Sequence, residues 1–212
     1  MPGKKNQYCR EALTREALAL FPKFGRFKTF YLAGGTALAL QIGHRISVDF
    51  DFFSEKELPP NLLQKTRKTF PNTSIKVTYS VPEQLNLLLD GIRTTFLHYP
   101  YPVVVPLHNH EGVPVASVLE LAAMKAFSIG KRLSYKDYVD WYFLLLKKHV
   151  KLQKVIEIAR KKFNGDFNAR LFLGQLASIT DVPTLKIDFL RDVVDRKTIE
   201  RFLKKTVRDF EF

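Results

Sequence analysis

The period of the hydrophobic pattern changes once along the chain, near residue 115. Before this point, short runs such as "SIKVTYSV" (residues 74–81) alternate in a way typical of β-strands. From Ser117 onward, apolar residues recur every three or four positions, which indicates helices. The 212 residues suffice to bury a sizeable core. We therefore expect an α+β chain, with a mixed α/β half (residues 1–115) followed by a helical half (residues 116–212).

The first half contains a strand–turn–helix–strand unit. "TFYLAGG" predicts a short strand over residues 29–32 that ends in a glycine turn, and "TALALQIG" predicts a helix closed by Gly43. "SVDFDFF" then predicts a second strand, with period two. Further on, "QLNLLLDGIRTTFLH" predicts a hairpin that turns at Asp90-Gly91.

The second of these strands carries two aspartates. Residues i and i+2 of a strand point to the same face, so Asp49 and Asp51 would project together. Neighbouring carboxylates repel each other unless a cation neutralises them. Mg²⁺ takes oxygen ligands and often shares them with substrate phosphates, so the pair could hold this metal. A solvated strand face is the alternative interpretation.

The glycines supply a second component. Gly34-Gly35 would let the backbone approach a ligand closely, and the N-terminus of the next helix suits phosphate. Thr36 could add a hydroxyl. Three residues just before the aspartates could reach the same phosphates: His44, Arg45 and Ser47. The alternatives are an ordinary turn and, for His44 and Arg45, simple capping of the helix C-terminus.

With these parts in this order, "GGTALALQIGHRISVDFDFF" resembles the first signature of the nucleotidyltransferases of the DNA polymerase β superfamily. Within that superfamily it is similar to the AbiEii/AbiGii toxin family, the toxin half of type IV toxin–antitoxin systems. A later motif of that family corresponds to "ELAAMKAFSIGKRLSYKDYVDWYFLL" (residues 120–146). The resemblance implies a polymerase β-like mixed sheet with flanking helices, followed by a C-terminal helical bundle.

The resemblance also implies an activity. A member of this family would transfer a nucleoside monophosphate from a nucleoside triphosphate to an acceptor hydroxyl, with Mg²⁺ or Mn²⁺ held by Asp49 and Asp51. The acceptor would be RNA, such as a tRNA 3′ end, and a cognate antitoxin would be the partner. Lys125 would contact the nucleotide phosphates, and Asp137 would belong to the active site and orient Lys125 or Arg132.

Both residues of the later motif have structural alternatives. Lys125 lies on an apolar helical stripe and could instead extend to solvent. Asp137 could instead close a capping box with Ser134. Asp140 shares a helix face with Asp137 and is a further candidate of the same motif.

The chain departs from the superfamily at one point. Many active members carry a third carboxylate on a later strand, yet the candidate strand (residues 92–102) contains no Asp or Glu. Asp90 fits a turn, Glu111 fits a loop, and His98 could substitute only in part. The general base is therefore unassigned. Two other functions stay open: transfer to a small-molecule or protein hydroxyl, and a catalytically silent protein that binds nucleotide or a partner.

Charge and cysteine content bear on the class of partner and on the cellular compartment. The net charge is +13 but is spread along the chain, so it favours polyanionic partners only weakly. Cys9 is the one cysteine, which excludes an internal disulfide and fits a reducing compartment. The N-terminal residues lack a signal-peptide pattern, and no apolar run approaches the ~20 residues of a membrane span. We expect a cytoplasmic protein without a membrane partner.

Overall fold

The computed structural model describes residues 8–132 and 134–211 of the chain. Its α-helices are α1 Arg15–Leu20, α2 Gly34–Ile42, α3 Leu62–Thr69, α4 Val118–Ser128, α5 Tyr135–Leu146, α6 Leu152–Phe163, α7 Ala169–Ala177 and α8 Arg196–Arg208. Its strands are β1 Tyr31–Ala33, β2 Phe50–Ser54, β3 Ile75–Val81, β4 Gln84–Leu89, β5 Ile92–His98, β6 His108–His110 and β7 Val113–Val115. Short 3₁₀ turns precede and follow α1 and also follow α6.

The residues form two compact units. The first extends through Pro102 and includes Pro106–Ala116, and the second combines Val103–Val105 with the chain from Ser117 onward. All seven strands belong to the first unit, whereas the helices from α4 onward belong to the second. None of the helices in the described part of the chain is both long enough and apolar enough to cross a membrane.

The first unit is built on one mixed sheet with the strand order β3-β4-β5-β2-β1-β7-β6. β2 runs parallel to β5 and β1 runs parallel to β7, while the remaining neighbours are antiparallel. The predicted hairpin at Asp90-Gly91 is present as β4–β5. β6 and β7 form a second hairpin, which the sequence pattern did not predict because each strand has only three residues.

One face of this sheet packs on phenylalanines. Phe50 and Phe52 of β2 and Phe96 of β5 are fully buried on it. Phe24 and Phe70 pack against them, with ring centroids 4.5 Å apart for Phe24 and Phe52 and 5.0 Å apart for Phe24 and Phe70. Burial of such large apolar side chains is the main stabilising term of a core of this kind. The alternation along β2 therefore fixes which face of the strand carries Asp51.

The helices of the second unit enclose another apolar core. Trp141 of α5 is fully buried and lies 5.1 Å from Phe172 of α7, centroid to centroid. Phe127 of α4 stacks on Phe163 of α6 at 4.0 Å. The three- and four-residue spacing from Ser117 onward thus predicted these helices correctly.

A buried ion pair joins α4 to α6, although the spacing of Ser117 and Glu120 is that of a capping box. Ser117 is the N-cap of α4, but its side chain makes no capping hydrogen bond. Glu120 instead pairs with Lys162 at 2.7 Å, and both side chains are fully buried. The second carboxylate oxygen of Glu120 accepts hydrogen bonds from the backbone N–H groups of Val104 and Val105, at 3.3 and 2.9 Å. Glu120 thereby secures the segment 103–105 within the second unit.

Candidate active site

The first glycine of the β1–α2 turn lies against a predicted metal ligand. Gly34 has a φ of +67°, a conformation that glycine adopts without steric cost. A Cβ at this position would lie 2.5 Å from Oδ2 of Asp51 and 3.2 Å from its Cγ. The absence of a side chain therefore lets the backbone at the start of α2 meet the Asp51 carboxylate. The first backbone N–H groups of a helix lack partners within the helix, so the predicted phosphate-binding turn and the predicted metal ligand adjoin each other.

The second glycine lies against the predicted phosphate-binding residues. A Cβ on Gly35 would be 2.5 Å from Nη2 of Arg45 and 3.5 Å from Oγ of Ser47. The Arg45 side chain is 2% exposed, and its Nη1 donates a hydrogen bond to the carbonyl of Ile46 at 3.2 Å. The guanidinium is therefore held beside the N-terminal turn of α2, where a phosphate would benefit from both. His44 is also buried, and its contact with a phosphate stays a prediction.

The Thr36 hydroxyl is bonded within the protein. Its side chain is 1% exposed, and its hydroxyl donates to Oγ of Ser47 at 2.8 Å and to the backbone carbonyl of Asp49. The backbone N–H of Ser47 in turn donates to the carbonyl of Ala12 at 2.8 Å. The Thr36 bonds fasten the loop between α2 and β2 to α2, and the Ser47 bond fastens it to Ala12. Thr36 thus orients the segment that carries Asp49, and direct contact with nucleotide stays a prediction.

The aspartates occupy the start of β2. Asp49 immediately precedes the strand and Asp51 is its second residue, and both are partly exposed. Phe50 and Phe52 are buried between and after them, as the alternation predicted. The alternation of "SVDFDFF" would also place Val48 on the buried face, but Val48 lies outside the strand and is 39% exposed.

β5, the strand next to β2, is where a third carboxylate was sought in the sequence. β5 runs parallel to β2, and its Thr95 lies directly opposite Asp51. The residue directly beside Asp51 on this strand is therefore a threonine and not an acid. Across residues 8–132 and 134–211, no group of three or more His, Cys, Asp or Glu side chains is arranged to hold a metal ion. Any metal here would rely on Asp49 and Asp51, with substrate and water oxygens completing its coordination.

None of the substitutes considered from the sequence lies beside Asp51. His98 pairs with Ser54, three residues along β5 from Thr95, and an odd spacing places it on the opposite face. Asp90 has a positive φ in the β4–β5 turn, and its carboxylate accepts from the backbone N–H of Ser74 at 2.7 Å. Glu111 occupies the β6–β7 turn and pairs with Arg10 at 2.6 Å.

The residues of the later motif form an ion cluster inside the second unit. The Lys125 ammonium on α4 lies 2.8 Å from Oδ1 of Asp137 and 2.6 Å from Oδ2 of Asp140, both on α5. Arg132 binds Asp137 through two nitrogens, with Nε 2.9 Å from Oδ2 and Nη2 3.0 Å from Oδ1. The Lys125 side chain is therefore turned inward and does not extend to solvent. The predicted association of Asp137 with Lys125 and Arg132 is present.

The ion cluster shifts the pKa values of Lys125 and Asp137. Burial lowers the pKa of Lys125, but the charges of Asp140 and Asp137 outweigh it, so the pKa lies above its ordinary value. Burial raises the pKa of Asp137, but Lys125 and Arg132 overcome that effect and hold it below its ordinary value. Lys125 is therefore a cation and Asp137 an anion at neutral pH.

Asp137 does not serve as the helix cap that its position suggested. Ser134 is the N-cap of α5, yet no side-chain capping bond forms there. The Asp137 backbone N–H donates to the Ser134 carbonyl at 3.0 Å, while its carboxylate is fully engaged by Lys125 and Arg132. The functional interpretation of Asp137 is thus compatible with its surroundings.

Comparison with known proteins agrees with this architecture. A family model described as a nucleotidyl transferase AbiEii toxin of a type IV toxin–antitoxin system matches residues 16–211. An uncharacterised protein of Aquifex aeolicus (strain VF5) is 34% identical over 200 residues, which cover 92% of this chain and 95% of that protein.

Two solved structures share the fold. A candidate nucleotidyltransferase of Helicobacter pylori has a TM-score of 0.60 and 18% identity, and the match covers 92% of this chain and 94% of that one. MenT4, a nucleotidyltransferase toxin of Mycobacterium tuberculosis H37Rv, has a TM-score of 0.52 and 14% identity, and the match covers 86% of this chain and 76% of that one. The predicted fold class is confirmed. Because the family model spans nearly the whole described chain, the protein belongs to the AbiEii nucleotidyl transferase toxin family of type IV toxin–antitoxin systems.

Proposed function

We propose that the protein transfers a nucleoside monophosphate from a nucleoside triphosphate to a hydroxyl of RNA, such as a tRNA 3′ end, in the presence of Mg²⁺. One observation carries the proposal: Gly34, at the start of α2, lies so close to Asp51 that only a residue without Cβ fits. A helix N-terminus for phosphate and a carboxylate for metal thus adjoin each other. In the cytoplasm, a cognate antitoxin would restrain this activity.

The donor set fits Mg²⁺. Asp49 and Asp51 offer only oxygen ligands, and both are partly exposed, so substrate can reach them. Mg²⁺ in phosphoryl-transfer sites is commonly held by one or two carboxylates together with substrate phosphates, and Mn²⁺ accepts the same ligands. When bound, the metal would neutralise phosphate charge and lower the pKa of the acceptor hydroxyl.

The protein's own residues position the triphosphate. The N-terminal turn of α2 would bind phosphate oxygens through backbone N–H groups, since Gly35 leaves the turn open. The guanidinium of Arg45, held beside that turn, would neutralise charge that develops on the leaving pyrophosphate. Ser47 and Thr36 would keep the Asp49 loop in place through their hydrogen bond.

We propose that Lys125 and Asp137 are catalytic residues because they occupy positions of the later family motif. In the second unit, Asp137 and Asp140 fix the position of the ammonium and keep it charged. Contact of this ammonium with a nucleotide phosphate is proposed from the family motif. We also propose that the two compact units correspond to the two predicted domains, residues 1–115 and 116–212.

Family and charge support the proposed partner and acceptor. The family is defined by toxins of type IV toxin–antitoxin systems, so a cognate antitoxin is the expected protein partner. The net charge of +13 favours a polyanionic acceptor over a neutral small molecule.

The decisive experiment is transfer of an α-labelled nucleoside triphosphate to purified tRNA by wild-type protein and by Asp49→Asn and Asp51→Asn variants. We expect wild-type labelling of tRNA to require Mg²⁺ and both variants to lose it, together with any growth inhibition in cells. Asp181→Asn, at an exposed position outside the site, is the matched control and should label tRNA normally.

Each other result has a defined meaning. Labelling at the wild-type rate by either Asn variant would show that the aspartate it replaces is not a metal ligand. Labelling of a protein or small molecule in place of tRNA would replace the proposed acceptor. Nucleotide binding without transfer to any acceptor would favour a silent fold, for which Thr95 opposite Asp51 is the structural argument.

A further inference from the structure

Asp51 belongs to a row of residues that crosses the sheet to its edge. It is opposite Thr95 of β5, Thr95 is opposite Asn86 of β4, and Asn86 is opposite Tyr79 of β3. Residues directly opposite each other on neighbouring strands have their side chains on the same face. β3 is the last strand on this side of the sheet. The row therefore leads from the proposed metal site to an edge that ends in a tyrosine.

This face of the sheet is accessible. The opposite face carries buried Leu85, Leu87 and Phe96 and packs on the core. Asp51, Thr95 and Asn86 are partly exposed, and Tyr79 is 50% exposed. A long aromatic side chain at half exposure on a sheet edge is available to a flat ligand.

A β-bulge turns Tyr79 toward this face. Val77 pairs with Leu87, but the next paired residue is Tyr79, opposite Asn86, so the register shifts between them. Without the extra residue, Tyr79 would have kept the orientation of Val77, on the core side. Bulges commonly serve to re-aim a side chain in this way. The local irregularity of β3 thus places the tyrosine on the face of Asp51.

On strands β3, β4 and β5, the charged side chains of this face are basic. In the neighbouring row, Lys76 of β3 pairs with Leu88 of β4, and Leu88 pairs with Arg93 of β5. Strands β3, β4 and β5 contain no Asp or Glu. Gln84 donates to Oδ1 of Asn86 at 2.9 Å and orients its amide. The accessible face therefore combines two cations, an oriented amide and an exposed aromatic ring.

We propose that this face binds the single-stranded 3′ segment of the RNA acceptor, with its terminal hydroxyl at Asp51 and an upstream base stacked on Tyr79. The inference rests on the proposed function, since it names the binding surface of that acceptor. Three strand spacings separate Asp51 from Tyr79, roughly 14 Å. A nucleic-acid strand with stacked bases rises roughly 3.4 Å per nucleotide, so that distance accommodates about four nucleotides. An extended RNA chain would place fewer nucleotides there.

The chemistry of the row favours RNA over a protein segment. Proteins that bind single-stranded nucleic acid combine a basic track with aromatic rings on which bases stack. Here Lys76 and Arg93 supply the track and Tyr79 supplies the ring. A protein segment added to the edge of β3 would instead depend on backbone hydrogen bonds and would be indifferent to the tyrosine ring.

The test compares Tyr79→Ala and Tyr79→Phe with Val77→Ala as the matched control. Val77 is an exposed residue of the same strand, 38% accessible, on the other face. The assays are the KM for tRNA, the KM for the nucleoside triphosphate, and fluorescence anisotropy with a labelled single-stranded RNA of about ten nucleotides, within the usual site size.

We expect Tyr79→Ala to raise the KM for tRNA and the Kd for the labelled RNA by about tenfold or more, the value of one base-stacking contact. The KM for the nucleoside triphosphate should not change. Tyr79→Phe keeps the ring and should restore RNA binding, and Val77→Ala should match wild type.

Unchanged RNA affinity in Tyr79→Ala, with wild-type protein still labelling tRNA, would overturn this inference and leave the proposed function standing. Loss of antitoxin binding with normal RNA binding would assign the surface to the antitoxin and also overturn it. Wild-type protein that labels no RNA would overturn the proposed function and this inference with it.

Discussion

Replacing Gly34 by alanine should disable nucleotide transfer without unfolding the protein. With a φ of +67°, Gly34 has a backbone conformation that costs an L-residue about 1–2 kcal/mol. A loss of this size is small against the ~5–15 kcal/mol by which domains are usually stable. The fold should therefore survive the substitution.

The effect on catalysis should be larger. The new Cβ would lie 2.5 Å from Oδ2 of Asp51, whereas ordinary contact begins at 3.4 Å, so the carboxylate has to move by about 0.9 Å. Displacement of a catalytic group by about 1 Å can lower the rate by on the order of 100-fold. We expect a decrease in kcat of that size for Gly34→Ala.

The assay is kcat for incorporation of labelled nucleoside monophosphate into tRNA, alongside thermal unfolding. Gly174→Ala is the matched control, because a Cβ there meets no atom within 4 Å and the residue lies within α7. It should keep wild-type activity and be slightly more stable. A folded Gly34→Ala protein with the wild-type kcat would refute the idea that this glycine fixes the position of Asp51.

Two further predictions concern the second unit. Lys162→Met should lower the free energy of unfolding by about 3–5 kcal/mol in urea titrations, because it leaves the buried Glu120 carboxylate without its cation. Lys161→Met, at the exposed neighbouring position, is the control, and an equal loss there would contradict the argument. The free energy of unfolding should also fall with pH below about 4, because folding lowers the pKa of Asp137 and its stabilising effect disappears as acid protonates it. Asp137→Asn should flatten that part of the pH profile, and a profile identical to wild type would count against the ion cluster.

Local features of the site were predictable from the sequence. Gly34, Gly35 and the two aspartates lie within 18 residues, and one strand–turn–helix–strand unit has few ways to fold, so their proximity followed from spacing. The closure of α2 by Gly43 was equally local, since its N–H bonds to the carbonyl of Ala39 four residues earlier.

Long-range pairing was not predictable in the same way. Thr95 opposite Asp51 depends on β5 lying beside β2, which joins residues 44 positions apart in the sequence. The pair of Glu120 and Lys162 spans 42 positions, and local pattern favoured a capping box for Glu120 instead. A capping bond joins residues three positions apart, so sequence spacing can predict it. An ion pair with a distant helix leaves no such local pattern.

The sequence by itself determined the periods of the strands and helices, the positions of the glycine turn and the aspartates, and the family to which they belong. The tertiary structure decided which strands are neighbours, which face of the sheet is accessible, and that Lys125 is enclosed by Asp137 and Asp140. The physical reason is that backbone geometry sets the periods over a few residues. Strand order and ion pairing, by contrast, depend on which apolar surfaces of distant segments become buried together.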